Sequence, residues 1–341
     1  MRIAALLLVV AAVVALALTA GSWPAFDWRL FLRTLRNLDY RWLAASGLFA
    51  LATYVGRALR WAVLLKPVQP HPSFRNLLSA TAIGFTAIVI LGRPGEFVRP
   101  YLIAVKEKVS FSSQMAAWML ERIYDLLAAL LIFGFALAQV RDSGMVVGPR
   151  IAWAIQVGGW AVGVTSVICL GVLTVLALHS DRMEKRLLES MTFLPESIYP
   201  KAADVVRAFI EGARSTRSWS AVALLTGYTL LEWGLIAACY ASIVQAFHGT
   251  LHFSLLDILI FMGFSSFGAV VQIPGVGGGV QIVAIVVLTE LFRIPLETAT
   301  SVALVVWFTT FVVIVPIGVG LALREGWNWG QLRRVREEVS L

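Results

Sequence analysis

The sequence predicts an all-α fold, a polytopic helical membrane protein with about six full spans and two interrupted helical hairpins. Of the 341 residues, 59% are hydrophobic and only 14% are charged, and the mean hydropathy is +0.82. Soluble domains carry about a quarter charged residues, so this shortage means that much of the surface faces lipid. The chain also contains apolar runs of about 20 residues, the length that crosses a bilayer as a helix.

The predicted full spans are apolar runs at about 3–22, 42–65, 113–139, 151–178, 219–247 and 297–323. The first run resembles a signal peptide, but its length favours a span that is retained. Phe26 to Tyr40 forms a short amphipathic stretch with Arg29, Arg33 and Arg36 on one side. We expect one transmembrane domain over residues 1–341, with a charged loop at 179–218 and a basic tail at 324–341.

Two shorter apolar segments are interrupted by glycine and proline. Segment 77–91 runs into the turn at 92–96, and segment 255–273 runs into a glycine-rich turn before apolar residues 280–292. Broken helices at membrane depth are tolerated where they line a cavity or are buried in protein, and paired interrupted segments indicate a transporter binding site. We interpret both as hairpins that are at least partly re-entrant. Two ordinary helical hairpins with glycine-rich turns are the alternative.

The Lys and Arg residues predict the orientation, because basic loops remain in the cytoplasm. Residues 179–218 and the tail after 323 are both basic, which places both termini in the cytoplasm. The two hairpins then enter from opposite faces of the membrane. The arginine-bearing stretch 29–41 falls outside and is the one exception. The formal net charge of +8 fits loops that meet anionic headgroups and does not indicate nucleic-acid binding.

The first candidate site is the segment from Gly92 to Pro100. Its Arg93 and Arg99 suit a phosphate, because a guanidinium presents a planar fork of donors. Glu96 can pair with either arginine, and Gly92 and Gly95 let the backbone turn and approach a ligand closely. The alternative is a loop at headgroup level whose arginines reach up to water.

The second candidate site lies within the predicted span 113–139. Glu121 and Asp125 share a helix face at spacing i, i+4, and Arg122 reaches Asp125 at i, i+3. Charges inside a membrane are costly and usually face a cavity or one another. A neutralised triad that only fixes helix packing is the alternative.

Arg57 and Arg60 lie on one face of the predicted span 42–65. We interpret Arg60 as an interfacial anchor beside Trp61 in the aromatic belt. Arg57 lies deeper and joins the candidate headgroup site. Glu232 and Glu290 are further candidate carboxylates, with a packing hydrogen bond and an interfacial position as their alternatives.

The glycine-rich turn is a candidate anion-binding nest, because successive glycine amides precede a helix. No Lys follows the glycines, so the turn is not a nucleotide-binding P-loop. Close helix packing through small residues is the alternative. The residues concerned are Pro274, Gly275, Gly277, Gly278, Gly279 and Gln281. No nucleophile–base pair or metal motif has a recognisable spacing, so we predict no catalytic residue, metal or cofactor.

The motifs together resemble the lysylphosphatidylglycerol synthase transmembrane family, also called the flippase-like domain. They are Gly-x-x-Gly-Glu-x-x-Arg-Pro at 92–100, Glu-Arg-x-x-Asp at 121–125, Arg60-Trp61 upstream, and the late Pro-Gly-rich turn. The resemblance covers nearly the whole chain. The late motif departs from the family's Pro-Gly-Gly-x-Gly-x-x-Glu, because Val276 replaces a glycine and Gln281 replaces the glutamate. An amide does not titrate, which puts a proton-linked role for that position in doubt.

The resemblance implies an inner-membrane protein whose helical hairpins surround a lipid-accessible cavity. It also implies movement of a phospholipid or polyprenyl-linked lipid between leaflets. The first hypothesis is therefore a translocator that holds an anionic headgroup by Arg93, Arg99 and Arg122. The second is an intramembrane transferase with Glu96, Glu121 or Asp125 as base, and the third is a non-catalytic partner of a lipid-modifying enzyme. The lipid and the oligomeric state stay open.

Overall fold

The structure is a computed structural model that describes residues 26–142, 161–172, 184–191, 199–213, 218–268, 272–273 and 277–326. Within these ranges the chain is helical apart from two paired two-residue strands, β1 Gln272–Ile273 and β2 Gly277–Gly278. The predicted all-α, polytopic helical membrane fold is confirmed. The predicted span 3–22 lies outside the described residues, and 151–178 is described only as a helix over Ala161–Val172.

The described helices are numbered here in chain order. They are α1 Trp28–Arg36, α2 Tyr40–Leu65, α3 Phe74–Leu91, α4 Val98–Glu107, α5 Phe111–Asp142, α6 Ala161–Val172, α7 184–190, α8 Tyr199–Ala213, α9 Trp219–Ala246, α10 Leu255–Gly268, α11 Gly279–Glu290, α12 Leu296–Trp307 and α13 Val315–Arg324. Among the described residues, five stretches are long and apolar enough to cross a bilayer: α2, α3, Phe111–Val140 of α5, α9, and Leu296–Arg324.

Helices α2 and α9 pack side by side in opposite directions. Arg60, in the last two turns of α2, contacts Thr229 in the first half of α9 at 3.1 Å. At the other end, the backbone N–H of Asp39 donates to the carbonyl of Ala246 at 3.0 Å. These contacts define two ends of the bundle. We call them the Lys66 end, which the basic loops predict to be cytoplasmic, and the Ala246 end.

The first hairpin consists of α3, a 3₁₀ turn over Arg93–Phe97, and α4. Its two ends meet at the Lys66 end, because the Glu107 carboxylate accepts hydrogen bonds from Asn76 Nδ2 at 2.7 Å and from the Ser73 backbone N–H at 3.2 Å. The two free ends of the second hairpin, α10 and α11, meet at the Ala246 end, where the rings of Phe253 and Phe292 lie 4.4 Å apart. The two hairpins therefore open toward opposite ends of the bundle.

Arm length distinguishes the two hairpins. Helices α10 and α11 have 14 and 12 residues and α4 has only 10, so each is shorter than the roughly 20 residues that a full span needs. Helix α3 has 18 residues and is long enough to be a candidate span. Termination of the hairpins inside the bilayer stays a prediction.

Glycines bring the arms of the first hairpin close together. A Cβ atom on Gly84 of α3 would lie 2.5 Å from the Cβ of Arg99 on α4, so only glycine fits this contact. Gly95 lies equally close to the backbone of Ala87, and Gly92 turns the chain with φ 71°. The result is a rigid support that carries Arg99 into the bundle.

The last span is interrupted beside the first hairpin. A π-helical segment, Phe308–Val312, joins α12 to α13. The Tyr54 hydroxyl of α2 donates to the carbonyl of Thr310 at 3.3 Å, and Thr86 of α3 donates to that of Ile314 at 3.4 Å. Side chains of two neighbouring helices thus contact backbone carbonyls where the regular hydrogen-bond pattern changes.

The opposite orientation of the hairpins is testable by thiol labelling of single-cysteine variants, with Cys169 and Cys239 replaced by Ala. We expect Arg75→Cys at the Lys66 end and His252→Cys at the Ala246 end to react with a membrane-impermeant maleimide from opposite sides of the membrane, because both positions are exposed. The unmodified chain is the control, since both of its cysteines are buried. Labelling of both introduced thiols from one side would contradict the arrangement.

Candidate functional site

Seven charged side chains from α2, α4, α5 and α9 meet inside the bundle, and we call them the charge cluster. They are Arg57, Arg60, Arg99, Glu121, Arg122, Asp125 and Glu232. Five of these were predicted as headgroup-binding residues, and Glu232 was a separate candidate carboxylate. The structure thus brings residues far apart in sequence into one network.

Arg60 is the central member of the cluster. Its Nη1 donates to Asp125 at 2.6 Å and to the Thr229 hydroxyl at 3.1 Å, while its Nη2 lies 2.7 Å from Glu121. A Glu232 oxygen lies 3.2 Å from the same Nη2. One guanidinium therefore connects α2 to both α5 and α9.

The prediction of Arg60 as an interfacial anchor was wrong, because its side chain is fully buried. Trp61 is not in an aromatic belt either: it is also buried, and its indole N–H donates to Gln114 at 3.0 Å. The final turns of α2 are covered by the first hairpin and α5, so closeness to a helix end does not mean exposure. The sequence does carry a signal for the contact of Arg60 with α5. Arg57 and Arg60 are spaced i, i+3 on α2, and Glu121 and Asp125 are spaced i, i+4 on α5, so each helix presents two charges of one sign on one face.

Arg99 is held on several sides by the protein. Its Nη1 donates to both oxygens of Glu121, at 3.0 and 2.9 Å, and its Nη2 donates to the carbonyl of Arg57 at 3.1 Å. The guanidinium also lies over the Trp61 ring, 4.1 Å from its centroid, a favourable cation–π geometry. Glu121 is consequently shared by two buried arginines.

Arg57 extends the network toward α9 and α3. It forms an ion pair with Glu232 and lies 3.8 Å from Asp125. Its guanidinium also covers the ring of Phe85, with 4.6 Å to the centroid. Helix α2 therefore contributes two cluster arginines, one packed on α3 and the other on α5.

Arg122 is the most exposed and most loosely held member. Its side chain is 39% exposed, compared with 15% for Arg57 and 4% for Arg99. Its shortest ionic contacts are 3.4 Å to Asp125 and 3.7 Å to Glu121. The predicted i, i+3 contact with Asp125 is present. Arg122 thus combines a partly open side chain with replaceable partners.

Arg93 and Glu96 do not join the cluster. They pair with each other at 2.9 Å on the turn of the first hairpin, and the Arg93 side chain is 53% exposed. Glu96 is still within electrostatic range of Arg122, and the adjacent Phe97 ring packs on Trp118 of α5. The pair therefore borders the cluster at its more open side.

The glycine-rich turn is described only in part, because Pro274 and Gly275 lie outside the described residues. The N–H of Gly278 donates to the Gln281 side chain at 2.7 Å, so an amide counted toward the predicted nest already has an internal acceptor. Gly279 packs against Gly268, where a Cβ would lie 2.5 Å from the Gly279 carbonyl oxygen. This contact matches the alternative of close packing through small residues.

Helix α10 of the second hairpin ends at a depth similar to that of the cluster. Gly263 of α10 packs against Ile132 of α5, and Gly268 is about 8 Å further along. The same step along the antiparallel α5 reaches Leu127, two residues short of Asp125. Asp125 is about 21 Å into α5 and Glu232 about 20 Å into α9, near the middle of both helices.

The cluster carries one more positive than negative group, with four guanidiniums against three carboxylates. The Nε–H of each of the four arginines is buried and has no hydrogen-bond acceptor among the described residues. Buried donors normally have a partner. In the described ranges, no group of three His, Cys, Asp or Glu side chains is arranged to hold a metal ion.

A family model described as the lysylphosphatidylglycerol synthase TM region matches residues 2–318. No curated protein and no solved structure matches the chain.

The shared role of Glu121 predicts a large stability cost for Glu121→Gln. The substitution leaves Arg60 and Arg99 short of a buried counter-ion, and breaking such a pair costs about 3–5 kcal/mol. SDS titration of the purified protein in mixed micelles measures the free energy of unfolding. The matched control is Glu96→Gln, whose partner Arg93 is exposed, with an expected cost below about 1 kcal/mol. Equal effects of the two substitutions would show that Glu121 is not a central counter-ion.

Proposed function

We propose that this chain, which belongs to the lysylphosphatidylglycerol synthase TM region family, moves an anionic lipid headgroup across the membrane. The lipid class is an anionic phospholipid or a polyprenyl-phosphate-linked lipid, and the site is the charge cluster. We place the protein in the cell inner membrane with both termini in the cytoplasm. The supporting observation is a network of buried arginines and carboxylates in which Asp125 and Glu232 lie near the middle of α5 and α9.

Depth is the first argument for a functional cluster. Asp125 and Glu232 lie near the middle of helices of 32 and 28 residues, and the hydrocarbon core is about 30 Å thick. Charged side chains at such depth are costly and mark substrate or ion pathways. A purely structural contact between helices is achieved more cheaply by apolar packing, because buried ion pairs often gain nothing over hydrophobic groups.

The charge balance supports an anionic ligand. A phosphodiester carries one negative charge, which equals the surplus of the four arginines over the three carboxylates. Phosphate oxygens are also suitable acceptors for the buried Nε–H donors, since guanidinium and phosphate match in geometry. The acyl or prenyl chains would stay in the surrounding lipid.

Arg122 is the residue that we assign to headgroup contact. Its side chain is the most open in the cluster, and its contacts with Glu121 and Asp125 are longer than those of Arg60 and Arg99. A phosphate can therefore replace these contacts without breaking the central pairs. Arg60 and Arg99 act as positioning residues, because they hold Glu121 and Asp125 in place.

The two hairpins give the site a means of alternate exposure. The first carries Arg99 from the Lys66 end, while α10 of the second reaches a similar depth from the Ala246 end. Movement of one arm against α5 would open the cluster to one leaflet at a time. The transferase alternative requires a carboxylate that is available as a base, yet Glu121 and Asp125 both pair with arginines at 2.6–2.9 Å.

The test is lipid exchange in proteoliposomes that contain a fluorescent anionic phospholipid, followed by reduction of the outer-leaflet probe with dithionite. We expect the unmodified chain to expose the inner-leaflet probe, and Arg122→Gln to slow this at least about tenfold, which corresponds to about 1.4 kcal/mol of lost interaction. A parallel assay uses a fluorescent polyprenyl phosphate.

The matched control is Arg93→Gln, which removes the same charge from an exposed position outside the cluster. It should leave the rate within about twofold, because exposed ion pairs contribute little. Absence of transfer for both lipids with folded protein would refute the proposed function. Equal slowing by both substitutions would remove Arg122 from its assigned role.

A further inference from the structure

Helix α1 is an amphipathic, arginine-bearing element that the proposed transport site does not use. It lies at the Ala246 end, because α2 begins just after it and Asp39 there contacts Ala246. This is the end that the basic loops place outside the cell, so the arginines of α1 contradict the usual charge distribution. We therefore looked for negatively charged groups near α1 that could pair with these arginines.

One face of α1 is fixed to the last span. Thr34 is buried, and the hydroxyl of Ser301 on α12 donates to the carbonyl of Phe31 at 3.4 Å. The backbone N–H of Asp27, just before α1, donates to Glu297 at 3.2 Å. Helix α1 is therefore held along the surface of the bundle, with a defined outward face.

The outward face carries two adjoining stripes. Arg29, Arg33 and Arg36 follow one another at i, i+4 and i+7 and are all exposed. Trp28 and Leu32, beside them on the helix, are 66% and 50% exposed. An exposed apolar stripe next to a basic one is typical of a helix that lies in the membrane interface, with arginines among the headgroups.

The nearby carboxylates do not neutralise this basic stripe. Asp27 accepts the backbone N–H groups of Arg29 and Leu30 at 2.9 and 3.0 Å, and Asp39 accepts that of Arg41 at 2.9 Å. Both carboxylates serve as helix N-caps. Within the described ranges, no acidic side chain forms an ion pair with Arg29, Arg33 or Arg36, so their charges are available to an anionic surface.

We propose that α1 is an interfacial docking helix that gathers anionic phospholipid in the leaflet at the Ala246 end. Trp28 and Leu32 enter the boundary of the acyl chains, and the three arginines bind phosphodiester headgroups. The helix thereby raises the local concentration of anionic lipid next to α12. This proposal is independent of translocation, because it concerns equilibrium binding at a surface far from the cluster.

The test measures lipid composition beside α1 in the full chain. A fluorophore attached to Leu32→Cys, with Cys169 and Cys239 replaced by Ala, is quenched by nitroxide-labelled phosphatidylglycerol or phosphatidylcholine in reconstituted bilayers. We expect phosphatidylglycerol to quench at least about twofold more strongly at low salt. The preference should fall as salt rises and disappear in Arg29→Gln/Arg33→Gln/Arg36→Gln.

Two controls separate this effect from general charge or misfolding. The substitutions Lys66→Gln, Arg75→Gln and Lys108→Gln remove three exposed charges at the other end and should leave the preference at Leu32 unchanged. A fluorophore at Leu131→Cys on α5, where the native side chain is 73% exposed, should be quenched equally by the two lipids in every variant. If both lipids quench the fluorophore at Leu32→Cys equally in the protein that keeps all three arginines, the proposal is overturned. Cross-linking of Leu32→Cys between two copies, with no lipid preference, would assign the face to self-association instead.

Discussion

The buried guanidinium of Arg60 is the constraint on which the rest of the structure depends. It belongs to α2, and its contacts are Glu121 and Asp125 on α5 and Thr229 and Glu232 on α9. A lone charge at this depth would be expelled or neutralised, so the carboxylates have to be positioned around it. The three spans are thereby fixed in rotation and in register, and the network, rather than apolar packing alone, specifies how they meet.

The remaining elements bring the other arginines to that network. Close contact between Gly84 and Arg99 lets the first hairpin insert a second guanidinium onto Glu121, and Trp61 covers its face. The cost of burying four cations is offset by three carboxylates, which leaves one charge and several N–H donors unmatched. Under the proposed function, stability and affinity for an anionic ligand have the same physical origin, because the groups that stabilise the bundle are also those that would attract the anion.

Much of this arrangement could be predicted from the sequence. Long apolar runs identify α2, α5 and α9, and helical spacing predicts the common face of Glu121 and Asp125 and the contact of Arg122 with Asp125. The partner of each charge could not be predicted, because it depends on how α2 and α9 pack. Arg60 was misplaced for this reason, since its position near a helix end indicates an interface only if no hairpin covers it. Arg93 was grouped with Arg99 by proximity in sequence, but the turn directs the two to different surroundings.

The central claim is that the cluster holds the phosphate of an anionic lipid inside the membrane. Cryo-electron microscopy of the full chain in nanodiscs rich in anionic phospholipid tests it most directly. We expect phosphate density within hydrogen-bonding distance of Arg122, with the Arg60 and Arg99 pairs intact. Lipid phosphates confined to the outer rim, around an unchanged and tightly closed cluster, would contradict the account.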